Sequence, residues 1–598
     1  MAEEKGSWKR FQRIKFDSKR FSKRAKKAET STTRHAHRFV LSKLDSLRSV
    51  KQQIIVWLVM IGVLIAAVAM QMIWYQSAYR ADAWVSGGTY AEAVLGPINT
   101  LNPLYATTEA ELSASKLIFS SLFRYDSTGH LSNDLAQSMT MDEKAHTYTV
   151  KIRKDATWSD GTRLTAQDIA YTVDLMKSPE VRSIMVGTWS DIQAVATDSH
   201  TIVFTLPGSY ASFPHALTFS ILPKHVIKDV TPSALRQHTF SVSPVGSGPF
   251  SVRLLQPAPD DKHKILHMTA ASNYHHGTPK LSRFKLHAFE TQEKMAKSVQ
   301  TGEVNAAVGA GLDDSALPSD FMAAQTPIKS GVFALLNNES TYFKDPLVRQ
   351  ALQIGTDTKK LRKSLPYSVP AMHLPFTNDQ LTGDDVPLAP VYDLEKAKQL
   401  LDKAGWKQPA GSEFRINKNK QPLELSVVTV KDSMYEKVLE QLAGQWRQLG
   451  IDVKTQISDP SSATEDFVQT TLQSRGYDIL LYELVIGADP DVYAYWHSSQ
   501  ATTQGYNFSN YKNGVSDDAL SSARARSEVE LRNEKYKVFA RQWLKDAPAI
   551  GLYQSVMRYT HRDSVNPLVS PKGIPASTDR YADILYWSAN KQSVYKTP

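Results

Sequence analysis

One apolar run divides the chain: Ile54-Ile-Val-Trp-Leu-Val-Met-Ile-Gly-Val-Leu-Ile-Ala-Ala-Val-Ala-Met70, without a single charged side chain. Continued through Gln71–Trp74 it reaches roughly 20 residues, which at about 1.5 Å of helical rise per residue crosses the hydrocarbon core of a bilayer. The spacing predicts a transmembrane helix over 53–75, preceded by a tail over 1–52 and followed by a linker over 76–88 that ends in Gly87-Gly88. Ala81-Asp82-Ala83 offers the A-x-A pattern of a signal-peptide cleavage site. The stretch ahead of the apolar run is too long for a signal peptide, however, and the run exceeds the roughly 7–15 residues of a signal core. The sequence therefore predicts an uncleaved anchor.

Charge sorts along the same line. The chain carries 70 Lys and Arg against 60 Asp and Glu, a net charge of +10. Residues 1–51 alone hold 16 basic and 5 acidic residues, so everything after them sums to −1. The pI near 9.2 thus describes the tail and gives no indication of a nucleic-acid-binding body. A Lys/Arg excess beside a span keeps that flank in the cytoplasm, which places the large remainder outside. In the tail, Trp8, Phe11, Ile14, Phe16 and Phe21 alternate with basic residues. That pattern suits either a solvated topology signal or a segment lying on anionic lipid. There is no cysteine, which excludes disulfides, thiolate metal sites, cysteine nucleophiles and a lipidated cysteine anchor.

The body alternates helix and strand patterns. Thr108–Leu122 has helical spacing, His146–Arg153 and Thr201–Leu206 read as half-buried strands, and Asp160-Gly161 marks a turn. Thr165-Ala-Gln-Asp168 opens a helix with a cap. From Leu423 the order is a strand to Val430, a helix over Ser433–Leu449 closed by Gly450, a strand over Ile451–Ile457, and a buried strand over Tyr477–Tyr482. That β-α-β order with short connections predicts a parallel or mixed α/β sheet.

Several segments carry a resemblance: Thr100-Leu-Asn-Pro103; Trp158-Ser-Asp-Gly161 followed by Leu164-Thr-Ala-Gln-Asp168; Pro244-Val-Gly-Ser-Gly-Pro-Phe250; and Ser298-Val-Gln-Thr-Gly-Glu-Val304. It continues in Asp345-Pro-Leu-Val-Arg-Gln-Ala-Leu352, Lys396-Ala-Lys-Gln-Leu-Leu-Asp-Lys-Ala-Gly405, and Asp489-Pro-Asp491 with Trp496-His-Ser-Ser499. In this order and spacing the body resembles the extracytoplasmic solute-binding proteins of peptide/nickel-type ABC importers, the oligopeptide- and dipeptide-binding group, family 5. The resemblance implies a two-lobed α/β periplasmic-binding-protein fold with crossover strands and an inserted domain. The first lobe would span 89–330 with the insert at about 135–240, the second lobe 331–560, and 561–598 would return to the first. It also implies a peptide or peptide-like solute in the cleft, hinge closure, and delivery to ABC permease and ATPase subunits. No catalysis, cofactor or nucleic acid is implied.

By the same resemblance Gly96, Pro97 and Ile98 would line the cleft, and Gly246, Ser247 and Gly248 would touch solute backbone from the first lobe. Glycines there let backbone N–H groups approach a ligand closely; the alternative is that the segment makes a tight interlobe turn. Tyr482, Glu483, Leu484, Val485 and Ile486 would face the solute from the second lobe. Peptide binders of the family carry an Asp three residues before the Asp-Pro pair, where it meets the peptide ammonium. Here that residue is Ile486, which accepts no hydrogen bond, so an ammonium beside it would be unpaired. Glu483 offers a carboxylate from a neighbouring position. The pairs His35/His37 and His275/His276 lack a third ligand at metal-site spacing, so no metal is predicted.

Two other classes are weighed. A penicillin-binding-type serine hydrolase would use Ser113-Ala-Ser-Lys116 and a later Lys-Thr-Gly, imitated by Lys329-Ser-Gly331, but the middle element is missing. A binding fold serving as sensor or adhesin without a permease is not separable from transport by sequence.

Overall fold

The computed structural model describes Lys23 and residues 51–143, 145–183, 185–257, 263–309, 311–312, 314–459 and 467–595. The tail expected over 1–52, with its aromatic residues and His35/His37, lies almost wholly outside them. Two units separate, one holding the N-terminal helix and the last residues, the other running from Trp84 to Lys591. In the first, the helix Lys51–Tyr79 is 29 residues long, has no buried residue, and has a mean hydropathy of 2.6 over its most apolar stretch. It is long and apolar enough to cross a membrane, a test that a signal sequence also passes.

In the second unit a ten-stranded mixed sheet joins everything. Its order is Asp452–Ser458, Glu424–Val430, Ile479–Val485, Phe321–Leu336, Ala549–Arg562, Ala306–Val308, Thr89–Leu95, Arg283–Phe289, His263–Ala270, Phe250–Pro257. The two central strands are the longest, 16 and 14 residues, and pair antiparallel. Each belongs to two cores. Val332–Leu336 and Ala549–Tyr553 pack into the second lobe, while Ile328 of the one strand and Met557 and Tyr559 of the other pack into the first. Their ladder breaks between Pro327 and Gly331, where proline has no N–H to donate.

The β-α-β unit is as expected. Glu424–Val430 and Asp452–Ser458 pair in parallel around the helix Ser433–Arg447, which Asp432 caps by accepting from Met434 and Tyr435 N–H. Gly450 takes φ +79° after it, the left-handed conformation that ends helices. A separate four-stranded sheet (Ala136–Met141, Thr147–Ile152, Thr201–Thr205, Gln193–Ala196, in that spatial order) packs with the helix Ala166–Lys177 onto the first-lobe core. That helix starts as its sequence predicts, Asp168 Oδ2 accepting from Thr165 N–H at 2.8 Å.

One helix is shorter than its periodicity suggests. The expected helix over Thr108–Leu122 ends at Ile118, with Phe119 already extended (φ −118°, ψ 157°). The carbonyl of Ile118 accepts from Gly248 N–H at 2.8 Å, so a long-range bond replaces the next helical one. Trp158 is fully buried and fills the first-lobe core.

Candidate functional site

Along Ile479–Val485 successive side chains alternate faces, as in any strand. Leu480, Tyr482 and Leu484 join one second-lobe core; Ile479 and Leu481 join the other, and Glu483 follows on their side. The five neighbours predicted to face a solute therefore cannot all do so from one surface. Ile486 is buried with Leu484, and its N–H donates to Lys329 O at 2.9 Å. Val485 is exposed, and its carbonyl accepts from Tyr495 Oη at 2.7 Å.

Glu483 lies in a hollow of about 360 Å³ beside the crossing strands, with Val332, Tyr367, Lys431, Tyr435, Tyr553 and Ser555 among its walls. Ser330 Oγ donates to Glu483 Oε1. Among the described residues no Lys, Arg or His pairs with this carboxylate. Lys431 instead meets Asp459 at 2.9 Å. Burial, reinforced by the Glu483 charge, pushes the Tyr435 and Tyr553 phenols well above their ordinary range. Burial likewise raises Tyr367. At neutral pH all three rings are hydrogen-bond donors around one carboxylate. A larger hollow, about 620 Å³, lies in the second lobe against Arg362, His373 and Trp543 and contains none of the sequence-predicted residues.

The first-lobe residues take other positions. Gly246, Ser247 and Gly248 are buried. A Cβ on Gly246 would stand 2.1 Å from Ile118 O, and one on Gly248 would stand 2.6 Å from Ile118 C. Ser247 accepts two hydrogen bonds from Ser120, from its N–H at Oγ (3.2 Å) and from its hydroxyl at the carbonyl (2.8 Å). The close approach that glycine permits is here made to protein backbone. Gly96 has φ +105° with its Cβ direction against Thr108; Pro97 is exposed; Ile98 is fully buried, and its carbonyl accepts from Lys264 Nζ at 2.7 Å. None of the six lines the hollow at Glu483.

The lobes meet at a polar cluster built on Asp489-Pro490-Asp491. Arg532 grips Asp489 with two bonds, 2.8 Å to Oδ2 and 2.6 Å to Oδ1. From the first-lobe side Ser212 Oγ donates to Asp489 Oδ1 and accepts from Arg532 Nη2, both at 2.8 Å. His215 lies beside it, Nε2 3.8 Å from Asp489 Oδ2 and Nδ1 3.0 Å from Tyr125 Oη. Arg524 ion-pairs with Asp491 at 3.1 Å and lies between the rings of Tyr210 and Tyr493, 4.4 and 4.6 Å away. Sequence motifs flagged the Asp-Pro-Asp segment; its partners, distant in the chain, carried no local signal.

The hydrolase motif does not assemble. Lys116 pairs with Asp579 at 3.0 Å, and Ser113 Oγ accepts from Arg580 at 2.8 Å. Lys329 pairs with Asp379. His275 and His276 have a third neighbour after all, since their Nε2 atoms stand 2.7 and 3.0 Å from Asp134 Oδ1. Those separations are hydrogen bonds, and they hold Asp134 well below the usual carboxylate range against the opposing effect of burial.

Residues 130–507 match the family model of the bacterial extracellular solute-binding proteins, family 5. The chain is 26% identical over 481 residues to the oligopeptide-binding protein AppA of Bacillus subtilis, covering 78% of this chain and 86% of that protein. The AppA structure, in complex with a nonapeptide, superposes with a TM-score of 0.70 at 23% identity over 85% of this chain and 99% of that one. NikZ of Campylobacter jejuni, in complex with Ni(L-His), gives a TM-score of 0.68 at 23% identity over 84% and 99%. These likenesses establish a two-lobed fold of mixed sheets.

Proposed function

We propose that this chain, which belongs to family 5 of the bacterial extracellular solute-binding proteins, captures a peptide-like solute between its lobes and passes it on chemically unchanged. The solute's ammonium meets Glu483, and the phenols of Tyr367, Tyr435 and Tyr553 donate to carbonyl groups around it. The observation that carries this reading is a carboxylate that has no basic partner among the described residues, in a tyrosine-walled hollow beside the crossing strands. A buried ammonium needs such a partner, and Ile486 cannot supply one.

Hinge bending at the Pro327–Gly331 ladder break opens and closes the lobes, and the cluster of Ser212, Asp489 and Arg532 holds them together when closed. The helix Lys51–Tyr79 keeps the body at the outer face of a membrane, where ABC permease and ATPase subunits receive the solute. Gly96–Ile98 and Gly246–Gly248 shape the first-lobe wall by packing rather than by bonding the solute directly.

Calorimetric titration of the full chain in detergent with free and N-acetylated oligopeptides tests the assignment. The free amine should bind at least tenfold more tightly, and Glu483→Gln should erase the difference. Equal affinities would refute the role of Glu483; no binding of any peptide would refute the function.

A further inference from the structure

A second concentration of chemistry lies on the first lobe's sheet, among residues that line neither hollow described above. His263 opens the strand His263–Ala270, and His287 stands on its antiparallel neighbour Arg283–Phe289, opposite Ile265. With a period of two, His263, Ile265, His287 and Phe289 share one face. Glu303 reaches the same face from the turn after the helix Gln292–Gln300, where Gly302 adopts φ +74° and Glu303 N–H donates back to Ser298 O at 3.0 Å.

The three side chains converge on one point. His263 Nε2 lies 3.3 Å and His287 Nδ1 3.2 Å from Glu303 Oε1, and all three atoms fall within 4.8 Å of one another. The two imidazoles are 7% and 6% exposed, while Glu303 is 40% exposed and leaves a path to solvent. His287 Nδ1 is buried and aimed at the carboxylate, yet has no hydrogen-bond partner among the described residues. A buried ring nitrogen left in that state costs free energy unless something occupies the space before it. Phe289 stacks on His263 with centroids 4.5 Å apart and fixes the ring's plane.

Hydrogen bonding separates this cluster from the one at Asp134: both histidine contacts of Asp134 are hydrogen bonds, whereas among the described residues His287 Nδ1 makes none. Ligand atoms about 2.0–2.1 Å from a tetrahedral zinc ion stand about 3.3–3.4 Å apart from each other. The contacts to Glu303 match that edge length. The Asp134, His275 and His276 group has 2.7 and 3.0 Å contacts instead, the lengths of hydrogen bonds already made.

We propose that His263, His287 and Glu303 form a binding site for one divalent transition-metal ion of the zinc class, with a fourth position open to water. Imidazole nitrogens and a carboxylate suit such an ion. Bound there, it ties the helix Gln292–Gln300 and its turn to two sheet strands, so it stabilises the first lobe without entering the solute hollow.

The test is a Zn²⁺ titration of the untagged full chain in detergent after chelator treatment, followed by calorimetry and by the visible spectrum of Co²⁺ as a substitute. One ion per chain should bind at micromolar or tighter affinity, with a tetrahedral Co²⁺ spectrum and a raised melting temperature. Glu303→Gln, at a part-exposed position that preserves side-chain size, should weaken binding at least tenfold, as should His287→Ala. Asp134→Asn and His35→Ala/His37→Ala should leave it unchanged. Absence of saturable binding would overturn the proposal, as would full affinity in Glu303→Gln and His287→Ala, or loss of the ion in the Asp134 or tail variants alone.

Discussion

Ser212→Ala isolates what the lobe contact contributes to closure. The hydroxyl is one first-lobe element of the cluster: it donates to Asp489 and accepts from Arg532, both at 2.8 Å, and the residue is 1% exposed. Removing it leaves no charge orphaned, because Arg532 and Asp489 still grip each other within the second lobe. The loss is therefore confined to bonds that exist only when the lobes meet. Hydrogen bonds to charged groups contribute roughly 1.5–3 kcal/mol each. Because the two bonds share one hydroxyl, we take about 2–3 kcal/mol for the pair, a shift of about 30- to 150-fold in the closed-to-open ratio. The absence of cysteine makes the measurement direct. Spin labels on Val195→Cys and Val538→Cys, at positions 56% and 38% exposed on the two sides of the contact, report the interlobe distance by double electron–electron resonance. The ratio of short- to long-distance populations should fall by that factor in Ser212→Ala. A closed-to-open ratio unchanged within twofold would refute the contact as a determinant of closure.

Closure should also weaken in acid. Burial lowers the pKa of His215 from the ordinary imidazole range, with Asp489 opposing the shift and Arg532 reinforcing it, while Tyr125 occupies Nδ1. The closed form thus disfavours the imidazolium, and stability of closure is lost as pH falls through and below about 6.5, the ordinary imidazole value. The same spin-label distances between pH 7.5 and 5.5 should show it, and His215→Asn should flatten the profile. In the first-lobe core Arg580 and Glu92 are both fully buried, 2.6 Å apart. Arg580→Met should cost about 3–5 kcal/mol in urea unfolding by stranding the carboxylate, and adding Glu92→Gln should recover part of it. Gly246→Ala would place a methyl 2.1 Å from Ile118 O and should cost about 1–3 kcal/mol by overpacking; an unchanged urea midpoint would contradict the close approach.

Local chemistry made much of the fold readable. Thr165 with Asp168, and Gly450 after the helix Ser433–Arg447, signalled their boundaries because the groups that cap a helix sit beside it in sequence. The end of the helix at Ile118 was not readable, since it is set by Gly248, distant in sequence. The same limit governs the site. Glu483 could be singled out as a carboxylate near a motif, but its tyrosines come from three separate segments. Alternation in the strand Ile479–Val485 was legible in principle and divides Glu483 from Tyr482 and Leu484. At Gly246–Gly248 the sequence suggested close approach to a solute, and the structure shows close approach to the Ile118 backbone. Asp134 beside His275 and His276, and Glu303 beside His263 and His287, likewise depend on sheet order that no local pattern encodes.

The central claim is that two lobes enclose a peptide-like solute and release it intact. Native mass spectrometry of the full chain ejected from detergent, after incubation with a defined oligopeptide mixture, tests it most directly. The account predicts a one-to-one noncovalent adduct that dissociates to unmodified peptide and is weakened by Glu483→Gln. A chain that retains no peptide, or one that returns cleaved or covalently altered peptide, would contradict it.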